Sequence, residues 1–110
     1  MRLLLDHKVP HKLRRSLIGH VVKTADEMGW SELRNGELLD SGEGAGFDVM
    51  VTGDKNLSYR QNLTRRTLAL VVLSTNDWNL LKQNPSPVVK AVNAAKPGSF
   101  HVVTLEPHSS

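Results

Sequence analysis

Short segments that are apolar at every position, rather than at every second one, limit this chain more than anything else about it. Leu3-Leu4-Leu5 is such a run, and it reads as a strand buried on both faces. Leu68 to Leu73 is the most apolar segment and reads as a central strand, with Asp48-Val49-Met50-Val51-Thr52 as another. His20-Val21-Val22 and Phe100 to Leu105 complete the strands. Between them lie helical segments. Val9-Pro10 opens one whose apolar stripe is Leu13, Leu17 and Ile18, and Gly19 ends it. Ser31 or Asn35 caps a second, which carries Glu37, Leu38 and Leu39. The glycine-rich run from Ser41 to Gly46 is expected to stop or fray it. Leu57 to Arg66 reads as a short helix or loop. Trp78 to Leu81 begins a helix broken at Asn84-Pro85-Ser86-Pro87, and Val88 to Ala95 continues as helix. Strands alternating with helices make β-α-β units, hence an α/β fold with a mostly parallel sheet.

The 110 residues suffice for one domain over 1–110 and leave no room for a second. Cysteine is absent, which excludes disulfides and thiolate zinc sites and suits a reducing, cytoplasmic setting. Met1-Arg2-Leu3-Leu4-Leu5-Asp6 turns charged too early for a secretory signal, and no apolar run is long enough for a bilayer, so no membrane partner is expected. A net charge of +3 accommodates a phosphate-rich partner without requiring one.

In a parallel sheet, ligands bind at the carboxyl ends of the strands. Asp6, Asp54 and Asp77 each follow an expected strand and therefore fall on that edge. Clustered carboxylates repel one another unless a cation lies between them, and Mg²⁺ or Mn²⁺ are the hard ions that oxygen ligands favour. Glu37 can lean over the same edge, with Asp40 sharing its helix face. A single strand-terminal Asp can equally cap the next helix, which is the expected role of Asp77 in Asn76-Asp77-Trp78.

Leu4-Leu5-Asp6, Val9-Pro10, Glu37-Leu38-Leu39 and Val49-Met50-Val51-Thr52-Gly53-Asp54-Lys55-Asn56-Leu57, in that order, resemble the small prokaryotic PIN-like domain family, over at least residues 1–75. The resemblance implies a PIN-like three-layer α/β/α sandwich. It also implies a divalent-metal-dependent endoribonuclease, often the toxin of a toxin–antitoxin pair. RNA and an antitoxin are then the expected partners, with a homodimer left open. Asp6, Glu37 and Asp54 would be the catalytic, metal-binding acids, and Asn56 would take the place of a fourth ligand. His7 stands where the family commonly has Glu, and Asn56 and Leu57 replace an Asp and an aromatic residue. The lost charge weakens divalent-ion affinity, which opens a second reading as a non-catalytic interaction module.

Lys8, His11, Lys12, Arg14 and Arg15 form one basic group, and Lys55, Arg60, Arg65 and Arg66 form another. Both are candidates for holding an RNA backbone beside the acidic edge, or are simply solvated helix faces. Tyr59 and Trp78 offer rings for base stacking. A third reading is a receiver-like signalling domain with Asp54 as phosphoacceptor, Asp6 on Mg²⁺ and Ser74 or Thr75 as the switch hydroxyl. Against it, Lys96 precedes the last strand instead of ending it, and His7 replaces the paired acid of the first strand.

Overall fold

In the computed structural model, which describes residues 1–54 and 66–105, the apolar runs become strands. They are β1 (Arg2–Leu5), β2 (Val21–Thr24), β3 (Val49–Thr52), β4 (Ala69–Leu73) and β5 (Phe100–Val103). All pairings are parallel, and the five-stranded sheet has the order β2-β1-β3-β4-β5. β3 and β4 are buried at every position and β1 at all but Arg2, as runs without polar alternation require.

The helices are α1 (Asn35–Gly44), α2 (Trp78–Gln83) and α3 (Ser86–Ala94), with a 3₁₀ helix at His11–Ser16. Alternation along the strands sorts the core into two layers. Leu3, Leu5, Val49, Val51, Val71 and Leu73 face Leu13, Leu17, Leu81, Val88 and Val92 of the 3₁₀ helix, its exit, α2 and α3. Leu4, Met50, Leu70 and Val72 face Leu38 and Leu39 of α1, together with Phe47. The fold is therefore an α/β protein with helices on both faces of a parallel sheet.

Two local expectations change. The first helical segment is 3₁₀ and ends at Ser16, so Ile18 does not join the stripe of Leu13 and Leu17 and is 85% exposed. The N-cap of α1 is Arg34, with no side-chain cap, rather than Ser31 or Asn35. The glycine-rich run does end α1, which stops at Gly44 inside it, although Ser41 and Gly42 are still helical. At Gly42 a Cβ would meet the Leu4 side chain at 3.1 Å, so the missing side chain allows the helix close approach to the sheet.

Candidate functional site

The chain goes from β1 outward to β2, then crosses back over β1 to lay down β3 on its other side. The direction of strand addition thus reverses between β1 and β3, and their carboxyl ends form the switch point of the sheet. Asp6 follows β1 directly, and its backbone N–H donates to Val51 O of β3 at 2.9 Å. Asp54 lies just beyond β3. Both line one cleft of about 570 Å³, with His7, Lys8, Arg34, Gly53 and Asn76.

Thr52, fully buried, ties the two acids together. Its hydroxyl donates to Asp6 Oδ2 at 2.5 Å and accepts the backbone N–H of Asp54 at 3.1 Å. Asp6 Oδ1 accepts the His7 backbone N–H at 2.7 Å. Each carboxylate oxygen can accept more than one bond, so Asp6 retains acceptor capacity toward the cleft. The His7 ring makes a 2.6 Å hydrogen bond between Nε2 and Leu33 O, strapping the loop before α1 to the end of β1. That loop carries Arg34, whose Nη1 donates to Ser31 O and Leu33 O at 2.9 and 3.1 Å. Neither bond is to a carboxylate, and Arg34, which lines the cleft, has no ion pair among the described residues.

Asn76, on the loop after β4, completes the wall. Its Oδ1 is buried and has no hydrogen-bond partner among the described residues. Gly53 makes room for it, since a Cβ there would lie 2.3 Å from that oxygen. Asn76 thus lines the same cleft as Asp6 and Asp54, and amide and carboxylate oxygens are the donor types that Mg²⁺ or Mn²⁺ take.

The other expected residues are dispersed. Glu37 is exposed in the first turn of α1 and does not line this cleft. Among the described residues, no group of three or more His, Asp or Glu side chains is placed to hold a metal ion. Asn56, Lys55, Tyr59, Arg60 and Arg65 lie outside the described residues. Asp77 is the N-cap of α2, accepting the Asn79 N–H at 2.9 Å. Arg66 does not reach the acidic edge. It precedes β4, at the opposite end of the sheet, and pairs with Asp40 at 2.8 Å. Asp40 is therefore engaged there rather than beside Glu37 over the cleft. Trp78 packs partly buried against the core.

A second cleft of about 510 Å³ shares Asp6 and His7 with the first and opens toward β2. Lys12, Arg14 and Arg15 line it opposite Asp26 and Glu27. Arg14 is ion-paired with Glu27, whereas Lys12 and Arg15 are exposed and have no ion pair among the described residues. The Glu27 carboxyl is held below its usual value, chiefly because it accepts the Thr24 backbone N–H at 2.9 Å; desolvation opposes this, and the Arg14 guanidinium adds to the lowering.

Sequence reasoning missed Asn76 and Arg34. The only available signal for Asn76 was its place after the strand that pairs with β3. The search of protein-family models finds no match for this chain, and neither the curated proteins nor the solved structures give one.

Proposed function

We propose that this protein is a divalent-metal-dependent endoribonuclease whose centre is the switch-point cleft. The observation that carries the reading is the Asp6–Thr52–Asp54 linkage in the cleft that Asn76 also lines. Asp6, Asp54 and Asn76 would hold the ion, which supplies charge neutralisation for a phosphodiester and activation of water. Thr52 fixes the Asp6 carboxylate and the backbone of Asp54 in relation to each other, so that little reorganisation is needed on binding. Arg34 and Lys8 supply positive charge at the rim for the phosphate being cleaved. Lys12 and Arg15 hold flanking phosphates in the neighbouring cleft. A toxin role with an antitoxin partner fits the resemblance in the motifs and belongs to the same proposal.

That no third acid joins Asp6 and Asp54 among the described residues favours one alternative, a binding module that retains the cleft without hydrolysis. The receiver-like reading loses its lysine, because Lys96 lies ahead of β5 and so at the amino edge of the sheet, away from Asp54.

The test uses a labelled single-stranded RNA of mixed sequence, with Mn²⁺ or Mg²⁺, an EDTA control and fixed salt. Hydrolysis is expected for the wild type and lost in Asp54→Asn, with RNA binding retained. In parallel, Mn²⁺ at a hundredfold its dissociation constant should stabilise the fold by about 2.7 kcal/mol. A wild type that shows neither hydrolysis nor Mn²⁺-dependent stabilisation refutes the nuclease. RNA binding by such a protein supports the module.

A further inference from the structure

The sheet has two edges, and they are finished differently. β2 carries the exposed Lys23, a charge of the kind that discourages strand addition. β5 carries none, and the stretch from Gly98 to Leu105 has no Lys, Arg, Asp or Glu. The carbonyls of Ser99 and Val103 accept from Leu70 and Ser74 N–H at 3.0 and 2.9 Å and so face β4. Backbone groups alternate along a strand, which turns the N–H and C=O of Phe100 and Val102 outward. Their side chains share a face, 41% and 60% exposed. In register they continue the apolar row of Leu70 and Val72, which α1 and its neighbours cover as far as β4.

We infer that β5 pairs antiparallel with β5 of a second copy of this chain, about a two-fold axis at His101. In that register Phe100 of one copy faces Val102 of the other, and every outward N–H and C=O of both residues is used. The choice of occupant rests on charge and symmetry. A two-fold axis places like beside like, which an uncharged strand tolerates and the lysine-bearing edge does not. The same register sets each exposed apolar side chain against an apolar one. The pairing does not depend on the nuclease reading. Because the strand has four residues, the interface is smaller than the roughly 1,200 Å² of a standard complex, so the dimer forms only at high protein concentration.

The experiment combines sedimentation equilibrium with amide hydrogen exchange on the wild-type chain across a wide concentration range. The mass should move toward twice that of the monomer, and exchange at Phe100 and Val102 should slow as it does so. Val102→Pro removes an outward N–H while leaving the hydrogen bonds to β4 intact, as an edge strand allows. It should raise the dissociation constant at least tenfold while circular dichroism stays native, and Val102→Thr should leave it nearly unchanged. A monomer at all concentrations, with both amides exchanging freely, overturns the inference. So does a dimer whose Phe100 and Val102 amides show no added protection, which would use another face.

Discussion

Replacing Thr52 with valine keeps nearly the shape of a side chain that is 0% exposed and deletes its hydroxyl. Two hydrogen bonds disappear. One, at 2.5 Å, ends on the Asp6 carboxylate, and bonds to charged groups contribute about 1.5–3 kcal/mol. The other accepts the Asp54 N–H at 3.1 Å and is worth about 1 kcal/mol. The added methyl leaves no cavity, so the expected loss is about 3 kcal/mol, read in urea as a lower midpoint at unchanged slope. Thr52→Ser keeps the hydroxyl and loses one methyl, at a cost of about 1 kcal/mol. The order of the two variants separates hydrogen bonding from packing. If serine proves as destabilising as valine, Thr52 acts as filler, and the claim that it organises the two acids fails.

Three further outcomes follow from the geometry. Gly53→Ala places a Cβ 2.3 Å from Asn76 Oδ1 and should displace that amide, lowering Mn²⁺-dependent stabilisation more than the stability of the ion-free protein; an unchanged Mn²⁺ response would remove Asn76 from the ligand set. Asp77→Ala should cost about 1 kcal/mol as a lost cap and leave RNA hydrolysis intact, so a loss of activity at unchanged stability would move Asp77 into the site. Glu27 is held below its usual pKa, so its stabilisation is present at neutral pH and is lost as pH falls through that lowered pKa. The stability gap between wild type and Glu27→Gln should accordingly close on acidification, and a gap that widens would contradict the Thr24 and Arg14 contacts.

The convergence of Asp6 and Asp54 was legible because it needs only the position of the apolar runs and the rule that parallel strands share one carboxyl edge. The same rule locates Arg66, which precedes a strand, at the opposite edge. Asn76 was not legible. Whether a loop residue reaches the cleft depends on β4 lying next to β3 and on the missing Cβ of Gly53, neither of which has a local signature. Ile18 shows a different limit. Its place in a stripe assumes the 3.6-residue period, whereas a 3₁₀ segment turns every three residues and ends before it. The glycines read as breakers by propensity, and α1 does end among them at Gly44, but the close approach of Gly42 to Leu4 has no local signature.

The pairing of β1 with β3 has a kinetic consequence. Leu3 meets Val49, 46 residues away, whereas Arg2 meets Val21 of β2 after only 19. Loop-closure entropy makes the longer connection costlier by about 0.8 kcal/mol before any contact repays it. On loop closure alone, the β1–β2 and β3–β4 units are expected to form before they join. Asp6 and Asp54 belong to different units, so a partly folded chain keeps its carboxylates apart and has no cleft. A probe that reports their proximity would thus track the joining of β1 to β3, while a probe of either half would respond sooner.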